Sequence, residues 1–252
     1  DAGGVGLSPA IAVGHGSVLL DLLEEHENGR EAEVSLRMVE KVLELQPGCA
    51  EQASGRGELP LHVAVASPFS LEVVKVITAA YPGAVKRRDT RGRIPLHYAV
   101  GCTRPSLQTV QFILDVHSAG AACADNDGML PLHCAVCSTH ITEEIIQALI
   151  YSNTDGPCTP DKFLRLPMHY ACDSADANIN TVEILAQSYA DALDDEDTNF
   201  AMPLHLACSH SNIDPGVVRF LLERCPTAAS YAGEGGNGWL PLHYALSCRQ
   251  PQ

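Results

Sequence analysis

Six histidines recur along this 252-residue chain at positions 62, 97, 133, 169, 205 and 243. Histidine can ligate metals, shuttle protons or orient a nucleophile, so a regular set of them is the first place to look for chemistry. The steps between them are 35, 36, 36, 36 and 38 residues. Such regularity argues against a site. Residues that repeat with the chain's own period lie one structural unit apart, roughly 10 Å at helix packing distances, and cannot converge on one ion or one substrate. The set therefore reads as structural.

A tighter constellation is His133, Cys134, Cys137 and His140. Residues 133, 137 and 140 fall at i, i+4 and i+7, which aligns them on one helix face, and imidazole and thiolate are good zinc ligands. Against this, His133 belongs to the periodic set, Cys134 fills a slot that holds Val63, Tyr98, Tyr170, Leu206 or Tyr244 elsewhere, and His140 sits beside a helix start at Thr142. The Cys134-x-x-Cys137 pair reads as helix interior rather than the helix N-terminus where a thiolate is stabilised. No metal, cofactor or catalytic residue is assigned. Gly233 to Gly238 is glycine-rich but carries Glu234 and no basic residue. It reads as a lengthened turn, not a phosphate cradle.

The elements that carry the histidines explain the period. Each lies in a phrase such as Leu59-Pro60-Leu61-His62-Val63-Ala64 or Leu130-Pro131-Leu132-His133-Cys134-Ala135. Proline at a first helical position costs no hydrogen bond. The following apolar residues and the small alanine predict a short helix that packs closely on its neighbours. Ten or eleven residues after each proline come Ser70, Ser106, Thr142, Asn178 and Asp214. All are N-cap residues for a second helix, whose apolar spacing is seen in Val73, Val74 and Ile77. A turn-rich stretch then reaches Asp89, Asp125, Asp161 or Asp197, six residues before the next proline. Gly57, Gly92, Gly128 and Gly238 sit three before it, where a turn needs positive φ. Leu164 and Phe200 occupy that glycine place in the other two turns.

The unit resembles the ankyrin repeat, whose signature carries Pro-Leu-His-x-Ala after an Asp…Gly turn. The resemblance spans roughly Glu33 to Cys248 and implies an all-α ankyrin-repeat solenoid of stacked helix pairs with short projecting turns. It also implies a protein–protein interaction module without catalysis of its own. Two features depart from the family. Threonine before the proline is replaced by Leu59, Ile94, Leu130, Leu166, Met202 and Leu240, so each histidine must find another partner, such as backbone of the adjoining repeat. The period is also about 36 rather than 33 residues.

The division expected is a flexible lead over 1–15 and a repeat domain over 16–252. Within it, 16–53 form an N-terminal cap repeat with helices over Ser17–His26 and Glu33–Leu45, 54–240 form five repeats, and 241–252 form a truncated last repeat. The chain opens on Asp1 and is expected to be an excerpt of a longer protein.

Composition bounds the partners. A formal charge of −15, from 31 acidic against 16 basic residues, disfavours nucleic acid and anionic lipid, which need a positive surface. It leaves a protein partner, with a basic segment the easier match. No stretch approaches the ~20 apolar residues of a membrane span. Ten cysteines lie in a chain long enough to build its own core, and several fill apolar slots. Reduced, buried thiols, Cys172 and Cys208 among them, in a cytoplasmic, reducing compartment are the expectation.

The turns vary most. Lys86, Arg87, Arg88, Arg91 and Arg93 gather in one; Asp191, Asp194, Asp195, Glu196 and Asp197 gather in another. Charge runs are ordinarily solvated tips, and lone apolar residues at turns often fold back. The candidate contact residues are Arg88, Arg91 and Arg93 at one end and Phe163, Phe200 and Trp239 at the other, because guanidinium forks and aromatic faces anchor interfaces. A structural spacer between flanking domains, or the regulatory segment of an enzyme catalysing elsewhere, is the alternative function.

Overall fold

The computed structural model describes residues 18–27, 36–67, 69–174, 177–210, 214–232 and 238–247. The expected lead over 1–15, the loop Glu27–Arg30 beyond Glu27, residues 33–35 of the second helix, the core of the glycine-rich turn and residues 248–252 lie outside them. Among the described residues the structure is all helical, with thirteen α-helices and no strand. The first pair is α1 (Val18–Glu27) and α2 (Leu36–Leu45). Then come α3 (Pro60–Ala66) with α4 (Leu71–Ala80), α5 (Pro95–Gly101) with α6 (Leu107–Val116), and α7 (Pro131–Val136) with α8 (Glu143–Ser152). They are followed by α9 (Pro167–Cys172) with α10 (Ile179–Ser188), α11 (Pro203–Cys208) with α12 (Pro215–Arg224), and a single α13 (Pro241–Ser247).

Every motif proline opens a helix, as its locked φ and missing N–H favour. Ser70, Ser106, Thr142, Asn178 and Asp214 all stand at the N-cap of the second helix. Three of them make the side-chain bond: Ser106 accepts from Thr109 N–H, Asn178 from Asn180 N–H and Asp214 from Gly216 N–H. One element has no counterpart in the sequence reading. After each second helix the chain makes a short 3-10 turn, as at Pro82–Lys86, Ser118–Ala122 and Ala190–Leu193, which buries a small residue such as Ala84, Ala121 or Ala192.

First helices pack on first helices and second on second, so α3, α5, α7, α9, α11 and α13 form one row and α2, α4, α6, α8, α10 and α12 the other. One continuous core runs between them, with Leu61, Leu96, Leu132, Met168 and Leu204 all buried. Ala99, Ala135, Ala171 and Ala207, on the row of first helices that pack on one another, are all buried. Replacing Ala135 by Leu forces three extra carbons into a fully buried site, and is expected to cost about 1–3 kcal/mol. A thermal melt unchanged within error would refute that placement. At the following core slot Cys172 is fully buried, but Cys208 is only half-buried. The expectation for Cys208 is corrected: it closes α11, where one further short helix gives less cover.

Candidate functional site: the projecting turns

Five of the six motif histidines are held by main chain on both ring nitrogens, while His243, exposed on α13, accepts Leu240 N–H on Nδ1. Leu59 N–H donates to Nδ1 of His62 at 3.0 Å, and Ile94, Leu130, Leu166 and Met202 repeat the bond to His97, His133, His169 and His205. Nδ1 therefore carries no proton and Nε2 does. That N–H donates to carbonyls in the following unit: Arg87 and Arg93 for His62, Met129 for His97, Arg165 for His133, Asp195 for His169 and Tyr231 for His205. This is the adjoining-repeat partner that the missing threonine called for. Burial, which penalises the charged form, pushes all five below the usual histidine pKa; the carbonyl acceptors pull the other way and lose. The five rings are neutral braces between units.

The His–Cys cluster is dispersed in the same way. His133 has both nitrogens engaged. Cys134 is buried, and burial raises its thiol to about 12. Cys137 is an exposed C-cap residue, held near 11 by desolvation and by Asp173, and His140 lies past the helix beside Thr139. Neither thiol supplies thiolate near neutrality. Among the described residues, no group of three or more His, Cys, Asp or Glu is placed to hold a metal ion.

Four of the projecting turns are built on a buried aspartate: Asp89, Asp125, Asp161 and Asp197. Asp161 Oδ1 accepts N–H from Phe163 and Arg165 at 2.8 and 2.9 Å, while Oδ2 accepts the Tyr170 hydroxyl. Asp89 repeats this with Arg91, Arg93 and Tyr98. Burial works to raise the Asp89 pKa, but these donors outweigh it and hold the carboxylate below its ordinary range. The remaining oxygen of Asp125 takes Arg93 Nε at 3.1 Å, and that of Asp197 takes Arg165 Nε at 2.9 Å. In the first turn Ser54 stands in for the aspartate, its hydroxyl accepting from Arg56 and Glu58 N–H. That substitution escaped the sequence reading, although Ser54 is also six residues before its proline.

A main-chain bond links each turn to the next, beside side-chain bonds such as Arg93–Asp125 and Arg165–Asp197. Thr90 N–H donates to Arg56 O, Asn126 to Arg91 O, Lys162 to Asp127 O and Thr198 to Phe163 O, all between 2.8 and 3.0 Å. At the glycine position every turn has positive φ, including Leu164 at 56° and Phe200 at 59°. A side chain there costs roughly 1–2 kcal/mol of backbone strain. Gly92 cannot be exchanged so cheaply, since a Cβ would lie 2.4 Å from Asn126 Oδ1 and 2.8 Å from its backbone N.

Phe163, Phe200 and Trp239 fall on three consecutive turns and are 53%, 39% and 40% exposed. Phe163 and Phe200 are joined through the Thr198–Phe163 bond. Trp239 leans edge-on against Tyr244 at 5.4 Å, so part of its ring is spent on the stack. Arg88, Arg91 and Arg93 share an earlier turn but differ in state. Arg93 is ion-paired with Asp125, Arg88 donates to the carbonyls of Gly92 and Ala124, and exposed Arg91 makes no ion pair among the described residues.

Two clefts open between the turns and the first helices. One, of about 490 Å³, is lined by Arg165, Asp173, Asn199, Phe200, Leu206 and Tyr244; the other, of about 380 Å³, by Arg93, Tyr98, Cys102 and Cys137 among others. In the larger one Arg165 bridges Asp197 and Asp173, and His210 Nε2 reaches Asp173 Oδ1 at 3.1 Å. The sequence reading passed over Arg165, yet the signal was there. Arg165 holds the place of Arg93, each 32 residues before the aspartate it pairs with.

This arrangement of helix pairs and histidine-braced turns is that of a repeat solenoid. The family model for ankyrin repeats matches in three overlapping copies, over residues 61–161, 102–197 and 168–252, and the chain belongs to the ankyrin-repeat family. No curated protein matches the chain. Ankyrin repeats are generally protein–protein interaction modules and typically non-catalytic. No helix among the described residues is long and apolar enough to cross a membrane.

Proposed function

We propose that the chain is a scaffold or adaptor segment of a larger protein, without catalysis of its own, that docks a protein partner along its turns and the open side of its first helices. One observation carries this. The backbone under the turns repeats bond for bond, while the side chain at the outermost position changes from Arg56 to Arg91, Asp127, Phe163 and Asn199. Constant support with varied heads is what recognition needs and what a plain spacer does not. Five repeats over 54–240, a cap before them and a partial repeat after them form one domain in this reading. Phe163, Phe200 and Trp239 are its apolar anchors, with Arg88, Arg91 and Arg93 at the other end. The acidic turn at Asp194–Glu196 steers a basic segment of the partner toward the groove. Net charge of −15 supports a protein rather than a nucleic-acid partner. Thiols without disulfides among the described cysteines support a cytoplasmic, reducing location.

The test begins with capture of a partner from the native cell extract. The triple change Phe163→Ala, Phe200→Ala, Trp239→Ala is then expected to weaken binding by about 2 kcal/mol or more with the melt little changed. A folded triple variant that binds with undiminished affinity removes the aromatic half of the site.

A further inference from the structure

Six of the 16 basic residues, Arg56, Lys86, Arg87, Arg88, Arg91 and Arg93, lie in the first two projecting turns, which the Thr90–Arg56 main-chain bond holds side by side. In a chain with 31 acidic residues, cations are expected to find carboxylates. Among the described residues only Arg93 of the six does so. The carboxylates built into these turns are already engaged, and exposed Asp127 on the next turn pairs with none of the six among the described residues. Asp89 is buried and takes two N–H groups and the Tyr98 hydroxyl. Glu58 takes the Ser54 hydroxyl and shares the Tyr98 hydroxyl with Asp89. Asp125 is held by its own turn and by Arg93. Arg56, Lys86, Arg87, Arg88 and Arg91 are all exposed.

Arg88 sharpens the point. Its Nη1 donates to Gly92 O and Ala124 O, which ties the second turn to the third. Carbonyl oxygens fix the guanidinium without cancelling its charge, so its remaining donors are held in place for an anion. The same backbone register distinguishes the other turns. Lys86-Arg87-Arg88 is replaced by Ala122-Cys123-Ala124, then Cys158-Thr159-Pro160, then Asp194-Asp195-Glu196. Mutual repulsion is visible at the last, where Asp195 is raised by burial and then by Asp194 and Asp191. An acidic ligand is thus attracted to one end of the row and repelled from the other.

We infer that the first two turns form a docking site for a short carboxylate-rich segment of a protein partner, with Arg56, Lys86, Arg87, Arg88 and Arg91 as its donors. This rests on the reading of the turns as a docking surface and adds Arg56, Lys86 and Arg87 to it. Two adjacent tips are roughly 10 Å apart, a distance that ~4–6 extended residues cover with room at each end. A nucleic-acid strand fits the charge of the tips but not the body beyond them. It would run on over a strongly negative surface, with the acidic turn about 30 Å along the stack.

The test uses fluorescein-labelled hexaglutamate and the whole chain, followed by fluorescence anisotropy at low and at moderate salt. Saturable, salt-weakened binding is expected. The triple variant Arg56→Ala, Arg87→Ala, Arg91→Ala is expected to bind at least tenfold more weakly with an unchanged melt, whereas Lys162→Ala, an exposed cation on the fourth turn, leaves affinity as it was. Arg88 is kept in the variant because its carbonyl bonds hold two turns together. No binding up to millimolar protein, equal affinity in the triple variant, or tighter binding of an oligothymidylate of matching charge would each overturn the assignment. The probe has no apolar side chain, so its failure leaves the aromatic anchors untouched, and failure of the aromatic triple leaves the peptide result standing.

Discussion

Lowering the pH from 7.5 to 5.5 is expected to destabilise the repeat stack, with all five buried motif histidines contributing in the same direction. His62, His97, His133, His169 and His205 are each 0–2% exposed and neutral, with pKa values below the usual histidine value because burial penalises the cation. Unfolding returns each ring to a pKa near 6.5, so below that value the unfolded chain binds more protons than the folded one. Stability then falls with falling pH. It is fully present above about 6.5 and is lost between that value and the depressed folded values. One pH unit below 6.5 the loss is at most about 1.4 kcal/mol for each ring, the full amount being reached only by a ring that stays neutral in the folded chain. Melts at pH 7.5, 6.5 and 5.5 check it: a steep fall only below about 6.5 is expected, and a melting temperature level down to pH 5.5 refutes the neutral-brace reading.

The second large effect belongs to Asp161. Its buried carboxylate satisfies the N–H groups of Phe163 and Arg165 and the Tyr170 hydroxyl at the base of the turn. Asp161→Ala orphans three donors at once and is expected to cost about 3–5 kcal/mol. Asp161→Asn keeps an oxygen for both N–H groups and is expected to lose about half as much. Chemical denaturation of the two variants decides it. Equal losses would mean that negative charge, rather than acceptor geometry, holds the turn.

Much of this architecture was legible from local chemistry. Proline at the first helical position, a capping residue ten or eleven later and the aspartate six before the next proline are short-range signals, and each placed its element. What escaped depended on neighbours in space. Ser54 can replace aspartate because a hydroxyl also accepts two N–H groups. Arg165 gained its meaning from Asp197 and Asp173, beyond any local window. The reduced cover at Cys208, against the expectation of burial, depends on what stacks above it, which its own helix does not encode. The candidate contact residues rest on residue type and on the variability between turns. The structure separates a committed Arg93 from an uncommitted Arg91, a distinction that no spacing rule contains.

The main-chain bonds between successive tips have an evolutionary consequence. Carbonyl and amide groups are common to every amino acid except for the amide of proline, so the outermost residue can drift through sequence space without loosening the pitch of the stack. Arginine, aspartate, phenylalanine and asparagine already occupy that place in one chain. A lineage carrying this frame can therefore trade one binding specificity for another by single substitutions, each nearly neutral for folding. Its catalogue of partners is free to diverge much faster than its shape.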